Sequence, residues 1–277
     1  MNKENTSVIY TAAICIALIV MILMIIFRAV VGDEKPKMQP EIAVVLYYAG
    51  SDGWESLLEG MKQAEDDFSV NINYLVLRES ADGAEQLEII QREIDNGAQG
   101  VIVAVSDYEA MYEELKKISN TIPVIAVESG AGDSLLPLFS ADNYEMGKKL
   151  GEQILEDFKD EEDLTVALVR ENVKRDSVEQ REQGLRDVLQ DKARIISLGA
   201  AVNGEKADAA VALHKDALLK LTERTDVSLR DTKNYGIGNT TSIVAALDKG
   251  NLEKLIFQGL STGIIPIRKT FVNRTQS

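Results

Sequence analysis

Few residues in this sequence could carry out acid–base or metal chemistry. The 277 residues include one cysteine, Cys15, and one histidine, His214. One residue of each type cannot supply the four ligands of a typical zinc site. Cys15 lies inside an apolar run, which argues against a Cys–His catalytic pair, and Ser–His chemistry would depend on His214 alone. We therefore expect no metal site and no enzymatic function.

One glycine pattern invites a dinucleotide-binding interpretation. Gly236 and Gly238 follow an apolar segment with one residue between them, as in a phosphate-binding turn. The third glycine of that pattern is absent, and Asn239 is followed by two threonines instead. The pattern is too short to predict a cofactor, and we expect none. Turnover with a nicotinamide cofactor would revive the enzyme alternative.

The charge and the composition argue against several classes of partner. The formal net charge is −15, and hydrophobic residues make up 45% of the chain. An acidic surface repels phosphate backbones, so we expect no binding to nucleic acid. It also argues against docking on anionic lipids through a basic patch. The hydrophobic fraction is high enough for packed cores and too high for a disordered protein.

An apolar segment near the N-terminus predicts a membrane anchor. Residues 8–27 are apolar apart from one tyrosine and one threonine, and a helix of about 20 such residues spans the core of a bilayer. We assign residues 8–31 to a transmembrane anchor, residues 1–7 to an N-terminal tail and residues 32–40 to a polar linker. The alternative is a cleaved signal peptide, but its apolar region is usually shorter and ends in a small-residue cleavage pattern.

The charges around the anchor give a conflicting indication of its orientation. Lys3 precedes the anchor, whereas Arg28, Lys35 and Lys37 lie at its end or beyond it. The positive-inside rule therefore weakly favours a cytoplasmic C-terminal part. The family resemblance described below implies that this part lies outside the cytoplasm, and we follow the resemblance.

The rest of the chain alternates between apolar, β-branched runs and amphipathic helices. Continuous apolar runs are typical of strands buried on both faces, and apolar spacings of three and four predict helices. Up to residue 158, the predicted strands are residues 42–48, 72–77, 100–105, 123–127 and 137–140, and the predicted helices are residues 54–68, 84–96, 108–119 and 143–158. Short connections between strands and helices predict a parallel sheet covered on both faces.

The same alternation restarts near residue 164. The predicted strands are residues 164–169, 194–198, 209–213 and 234–238, and the predicted helices are residues 178–189, 214–221 and 239–247. The fold class is therefore α/β, with two Rossmann-like lobes in series, each built on a parallel sheet. We assign residues 41–141, together with residues 259–277, to the first lobe and residues 142–258 to the second. The connection 199–208 is short for a crossover between parallel strands, which suggests that a helix is missing there.

Six stretches of the sequence share their order and spacing with a known family. They are residues 42–65, 97–107, 122–129, 139–155, 178–189 and 235–258. The most specific is residues 139–155, FSADNYEMGKKLGEQIL, which is similar to a crossing between two lobes and the helix that opens the second one. Together the stretches resemble the type I periplasmic binding proteins of the ribose and galactose class, and the resemblance covers most of residues 42–258.

This resemblance implies that a small polar ligand, usually a sugar, binds between two lobes that close around it. Carried over position by position, it implies ligand contacts from Tyr47, Ser51, Asp52, Trp54, Glu128, Ser129, Asp142, Arg181, His214, Asn239 and Gln258. Trp54 would stack on a sugar ring, and Arg181 would donate a planar fork of hydrogen bonds. Such groups suit a sugar, which offers both an apolar face and hydroxyls.

Six of these residues also have a plain structural interpretation. Trp54 can simply be the first packed residue of its helix, and Asp52 can be a helix N-cap. Arg181 can be a surface arginine like Arg186, and His214 can be an ordinary residue at a strand end. Tyr47 can be a core residue, and Asn239 can be the cap of the next helix.

The sequence departs from the family at three places, of which the short connection 199–208 is one. Glu128 and Ser129 stand where the family often has an Asp-Arg pair, which argues against a ribose-like ligand. Residues 259–277 do not match the first-lobe helix and the third crossing strand that the family has after its last hinge. We therefore expect a truncated or specialised C-terminal end.

An anchored binding protein outside the cytoplasm suits two roles. We expect it to deliver its ligand to an ABC permease for import. The alternative is that it reports the ligand to a membrane histidine kinase. Tethering favours both roles because it raises the local concentration near a membrane partner. Repressors of the lac type share the ligand-binding fold, but they carry a DNA-binding helix-turn-helix where this chain has its apolar segment.

Overall fold

The computed structural model describes residues 20–24, 39–49, 53–132, 135–169, 174–198, 207–213, 232–237 and 254–256. Met1–Gln39 forms one compact unit of the chain and Pro40–Ser277 forms another. Both predicted lobes therefore fall within the second unit.

Five parallel strands form the first sheet. They are β1 (Glu41–Leu46), β2 (Asn71–Val76), β3 (Gly100–Val103), β4 (Val124–Val127) and β5 (Leu138–Phe139). Their spatial order is β2-β1-β3-β4-β5. The helices between the strands are α1 (Glu55–Phe68), α2 (Gly83–Asp95) and α3 (Tyr108–Ser119). The sheet and its helices confirm the predicted α/β class for the first lobe.

The alternation of side chains along β1 explains why this sheet has a helix layer on each face. Val44 and Leu46 pack on one face with side chains of α1. Ala43 and Val45 pack on the other face with side chains of α2 and α3. These four of the six residues of β1 are fully buried. A strand that is apolar on both sides is stable only when both faces are covered, as the sequence predicts.

A second sheet of five parallel strands has the same topology. Its strands are β6 (Thr165–Val169), β7 (Arg194–Leu198), β8 (Ala209–Ala212), β9 (Lys233–Ile237) and β10 (Lys254–Ile256), in the order β10-β9-β8-β6-β7. Two helices of this lobe are α4 (Asn143–Asp157) and α5 (Asp176–Leu189). Their apolar side chains, including Leu150 and Leu185, pack on one face of the sheet against β6, β8 and β9.

In both sheets the first strand lies between the second and the third. The strand order therefore reverses between β1 and β3 in one sheet and between β6 and β8 in the other. In open parallel sheets, ligands bind beyond the carboxyl ends of the strands at such reversal points. The segments that follow β1 and β6 are consequently the places where ligand-binding residues are expected.

Three helices begin at an aspartate that caps them. The carboxylates of Asp82, Asp107 and Asp142 each accept a hydrogen bond of 2.9 Å from the backbone N–H three residues ahead. Each bond satisfies one of the N–H groups that a helix leaves unpaired at its start. These caps fix where α2, α3 and α4 begin.

Helices α4 and α5 approach each other closely through glycines. A Cβ atom at Gly147 would lie 1.8 Å from the backbone oxygen of Arg181, and one at Gly184 would lie 2.0 Å from that of Tyr144. A Cβ atom at Gly151 would lie 3.0 Å from Cβ of Val188. No larger residue fits at Gly147 or Gly184 without a shift of the backbone. The glycines therefore set the position of the helix that carries Arg181.

The predicted membrane anchor is mostly outside the described residues. Of residues 8–31, only residues 20–24 are described; they are helical, and their side chains are exposed. Within the described part of the chain, the structure contains no helix with the length and the apolar character needed to cross a bilayer.

Several other predictions also fall outside the described residues. They are the helices 214–221 and 239–247, most of the short connection 199–208 and the C-terminal residues 259–277.

We predict that Gly147→Ala destabilises the protein by at least about 1–3 kcal/mol, the usual cost of overpacking, because the clash involves backbone. Gly60 is the matched control, since it is an exposed residue of α1 with nothing within 4 Å of a built Cβ atom. Gly60→Ala should stabilise the protein by about 0.5–1 kcal/mol. Thermal unfolding of both variants checks this. Equal melting temperatures for the two would contradict the proposed helix contact.

Candidate functional site

Glu128 lies directly after β4 and has an unusual backbone conformation. Its φ angle is +62°, in the left-handed region that non-glycine residues rarely adopt. Its backbone N–H donates to the carbonyl of Phe139 at 3.0 Å, and its own carbonyl accepts from Ser140 Oγ at 2.9 Å. These bonds hold the residue in a conformation that costs on the order of 1–2 kcal/mol. Its side chain is 5% exposed.

Arg181 of α5 forms a buried ion pair with Glu128. Nη2 of the arginine lies 2.9 Å from Oε1 of the glutamate, and Arg181 is 2% exposed. Its Nε donates to Asn143 Oδ1 at 2.8 Å, and Nη1 donates to the carbonyl of Leu213 at 3.0 Å. The guanidinium is thus bound by acceptors on three sides, which compensates for its removal from water.

The second carboxylate oxygen of Glu128 accepts from two hydroxyls. Tyr47 donates its phenol proton to Oε2, and Ser177 Oγ donates to the same atom at 3.3 Å. Burial of the Tyr47 phenol raises its pKa well above the usual value, and the neighbouring carboxylate of Glu128 raises the pKa further. Tyr47 therefore stays protonated and remains a hydrogen-bond donor. We call Tyr47, Glu128, Asn143, Ser177 and Arg181 the interlobe cluster.

The interlobe cluster joins the carboxyl ends of the two sheets. Tyr47 and Glu128 follow strands of the first sheet, whereas Ser177 and Arg181 lie on the helix that comes after β6. Ser129 adds a contact, because its Oγ accepts from the backbone N–H of Ser177 at 3.4 Å. The contact is at the edge where ligands bind in parallel sheets.

A second set of contacts joins the lobes beside this cluster. The backbone N–H of Tyr108 donates to the carbonyl of Lys174 at 2.9 Å. Nζ of Lys174 lies 3.2 Å from a carboxylate oxygen of Glu109, in an exposed ion pair. The two lobes therefore meet through both buried and exposed polar contacts.

Two charged residues at the start of α5 border the cluster. The guanidinium of Arg175 lies over the ring of Tyr47, 3.9 Å from its centroid. Asp176 is hydrogen-bonded by Gln180 at 2.8 Å. Burial raises the pKa of the Asp176 carboxyl; the bond from Gln180 opposes this shift, and the charge of Glu128 adds to it.

Trp54 packs behind Tyr47 in the core of the first lobe. Its ring meets that of Tyr47 edge to face, with centroids 5.1 Å apart, and its indole N–H donates to the carbonyl of Tyr47 at 2.7 Å. The tryptophan is 4% exposed. In this structure it supports Tyr47, so the plain packing interpretation describes its contacts. Its predicted role in stacking on a sugar stays a prediction.

The structure brings together four of the predicted site residues. Tyr47, Glu128, Ser129 and Arg181 meet at the interlobe contact. Asp142 does not join them: it is exposed, and its carboxylate caps α4. The predicted site residues Ser51, Asp52, His214, Asn239 and Gln258 lie outside the described residues.

Sequence reasoning missed Asn143, Ser177 and Arg175. Each lies at the start of a helix, within two residues of its N-cap. Asn143 also binds the crossing between the lobes, because its Nδ2 donates to Ser140 Oγ at 2.8 Å. The start of the helix that follows a strand reaches the same edge as the strand's end, and this topological rule could have identified them.

The described residues contain no cluster of three or more His, Cys, Asp or Glu side chains that could hold a metal ion. The polar groups of the interlobe cluster are an arginine, a carboxylate, an amide and hydroxyls. They can bind a polar organic ligand through hydrogen bonds.

The sequence matches the model of one protein family, described as periplasmic binding protein domain, over residues 42–229. A comparison with curated protein sequences gives no match.

Solved structures with a similar fold include several binding proteins. A periplasmic component of an ABC-type sugar transport system from Hahella chejuensis is 22% identical, with a TM-score of 0.68; the match covers 80% of this chain and 88% of that one. A carbohydrate transporter solute binding protein from Agrobacterium radiobacter, solved with D-arabinose, is 15% identical, with a TM-score of 0.69 and coverage of 81% and 84%. The XylFII–LytSN complex is 15% identical, with a TM-score of 0.67; the match covers 80% of this chain and 88% of that one. At these sequence identities, the structural similarity establishes the fold alone.

We predict that Arg181→Met lowers the stability by about 3–5 kcal/mol, because it leaves the carboxylate of Glu128 buried without a counter-ion. Arg78→Met is the control, since Arg78 forms an exposed pair with Glu85 at 2.7 Å, and losing such a pair costs about 0–1 kcal/mol. Chemical denaturation measures both. The double variant Glu128→Gln/Arg181→Met should recover part of the loss. If the double variant lost as much as the sum of its single variants, the ion pair would not be coupled.

Proposed function

This chain belongs to the family of periplasmic binding protein domains, and we propose that it binds a sugar between its two lobes, outside the cytoplasm. Members of this family bind substrates and do not convert them, so the chain is a binding protein and not an enzyme. We also propose that the sugar is destined for import.

The observation that carries this proposal is the interlobe cluster. It joins an arginine, a carboxylate, an amide and two hydroxyls at the carboxyl ends of the strands, where the two sheets reverse their order. Polar groups are rarely concentrated and buried in this way unless they are all hydrogen-bonded, and a polar ligand can take over some of those bonds. Hydroxyls of a sugar both donate and accept, so they can bind to each member of the cluster.

The similar structures support a sugar as the ligand class. One of them holds D-arabinose, and another is a glucose-galactose binding protein from Geobacillus stearothermophilus. They do not identify one sugar for this chain, because their identities are 15% and 18%. A panel of pentoses and hexoses is therefore the appropriate test.

We predict that at least one sugar of such a panel raises the melting temperature of the full-length chain. At a hundredfold excess over the dissociation constant, a ligand stabilises the folded state by about 2.7 kcal/mol. Thermal unfolding with D-arabinose, D-ribose, D-glucose, D-galactose and D-xylose measures the effect, and mannitol is a non-cyclic control. If the chain is folded and no sugar shifts its melting temperature, the sugar proposal is wrong.

We further propose that residues 8–31 anchor the chain in the membrane, with residues 1–7 as a tail and residues 32–40 as a linker. The support is the uncharged apolar run of residues 8–27, which is long enough to span a bilayer. An anchored binder then delivers its sugar to an ABC permease. The second candidate role is sensing through a membrane histidine kinase, and the XylFII–LytSN complex is a neighbour that was solved with a second protein.

We predict that the full-length chain fractionates with membranes and resists extraction by high salt and alkali, whereas a variant starting at residue 40 does not. Recovery of the full-length chain in the soluble fraction would contradict the anchor. Purification in mild detergent then separates the two roles. An ABC permease among the co-purifying proteins supports import, and a histidine kinase supports sensing.

A further inference from the structure

Arg175 differs from Arg181 at the interlobe contact in the state of its Nε atom. Among the residues that the structure describes, this buried atom has no hydrogen-bond partner. Within the described part of the chain, no carboxylate lies within ion-pair distance of Arg175, whereas Arg181 and Arg186 each pair with a glutamate. A buried donor without a partner is destabilising, so its retention calls for an explanation.

Arg175 lies at the point where the topology predicts ligand binding. It is the N-cap residue of α5, in the segment that follows β6, and its side chain makes no capping hydrogen bond. It contacts Tyr47, which directly follows β1. Both β1 and β6 border the place where their sheet reverses its strand order. Residues from the carboxyl ends of both sheets therefore meet at this contact.

The contact with Tyr47 positions the guanidinium without using its donors. The carbon Cζ of Arg175 is 3.9 Å from the centroid of the tyrosine ring. A guanidinium held on a ring face is attracted by the negative charge of that face, and its N–H groups remain able to donate to other acceptors. The phenol of Tyr47 is fixed in turn by its hydrogen bond to Glu128. The tyrosine thus forms a rigid support for the arginine.

We propose that Arg175 is a ligand-binding residue that donates to paired oxygen acceptors of the bound molecule. The chemistry that fits a guanidinium is a carboxylate, as in a sugar acid, or two neighbouring hydroxyls of a neutral sugar. This inference rests on the proposed function and deepens it, because it assigns one residue the recognition of ligand oxygens.

A role in ligand binding accounts for the buried donor that has no partner among the described residues. Residues that bind ligands are left incompletely satisfied in the free protein, at a cost in stability. The stacking of Arg175 on Tyr47 stabilises the free protein, and its buried Nε without a partner among the described residues opposes that stabilisation. Replacing Arg175 should therefore change the stability little and change the binding much.

The test uses the full-length chain, isothermal titration calorimetry and five ligands: D-arabinose, D-glucose, D-galactose, D-glucuronate and D-galacturonate. Arg175→Gln should weaken the binding of the preferred ligand by about 10- to 100-fold, the usual effect of losing hydrogen bonds to a charged donor. Arg186→Gln on the same helix is the matched control and should leave binding unchanged. If Arg175→Gln binds as tightly as the wild type, the inference is wrong.

The comparison of the uronates with the neutral sugars identifies which ligand oxygens Arg175 binds. A preference of the wild type for a uronate over its parent hexose, abolished in Arg175→Gln, assigns a carboxylate to Arg175. An equal loss for a neutral sugar assigns hydroxyls. Arg175→Lys should recover less than half of the lost affinity in logarithmic terms, because an ammonium cannot bind two oxygens in a planar fork.

A measurement without ligand separates this inference from the proposed function. If no sugar binds to the wild type, the proposed function fails. The melting temperature of Arg175→Gln then decides about Arg175. A change of less than about 2 °C agrees with a residue reserved for a ligand, whereas a fall as large as that of Arg181→Met shows a structural role and overturns the inference.

Discussion

The buried ion pair between Arg181 and Glu128 is the constraint on which the interlobe contact depends. Both side chains are almost inaccessible to water, and removing two charges from water costs several kcal/mol per ion unless other hydrogen bonds complete their surroundings. The structure provides those bonds: Asn143 and the carbonyl of Leu213 for the arginine, Tyr47 and Ser177 for the glutamate. The left-handed backbone of Glu128 and the glycine contacts of α4 and α5 hold the two residues where these charges meet.

The hydrogen bonds that Arg181 and Glu128 already make limit the free energy that a ligand can gain from them. A ligand that approaches Arg181 or Glu128 must replace hydrogen bonds that already exist, and an exchange of equivalent bonds yields little free energy. Affinity therefore has to come from groups that gain a partner only when the ligand is bound. A ligand also shifts the population of lobe arrangements only as far as its affinity differs between them. The unpartnered guanidinium of Arg175 is suited to supply such a difference.

The sequence was sufficient to predict the architecture, because both signals that determine it are local. The fully apolar run in β1 indicated a strand buried on both faces, and the three–four spacing in α1 and α4 indicated helices. Their alternation predicted two parallel α/β lobes, as the structure has them. The shared topology of the sheets was not predicted, since strand order depends on which strands pair and not on their composition.

The site was predictable only in part. Tyr47, Glu128 and Arg181 were found from their positions in a family pattern, but the pattern treats each as a ligand contact and does not reveal that they bind each other. Glu128 is 81 positions from Tyr47 and 53 positions from Arg181, so no local pattern in the sequence shows that these residues bind each other. Trp54 was assigned to the ligand because an aromatic residue after a strand has the same local sequence whether it packs or stacks. The indole hydrogen bond to Tyr47, the ring contact between the two residues and the burial of Trp54 identify its packing in this structure.

The distribution of charge explains how an acidic protein can bring two lobes together. Acidic residues outnumber basic ones in both residues 41–141 and residues 142–258, so the two lobes repel each other on average. At the contact, however, the first lobe contributes Glu109 and Glu128, and the second contributes Lys174 and Arg181. The exposed pair of Lys174 and Glu109 is screened by water and salt and adds little. The buried pair is not screened in this way, so it selects the one alignment of the lobes in which neither charge is left alone. Arg175 has no such counter-charge among the described residues and contacts the ring of Tyr47 instead, so the buried pair of Arg181 and Glu128 is the charge contact that orients the lobes.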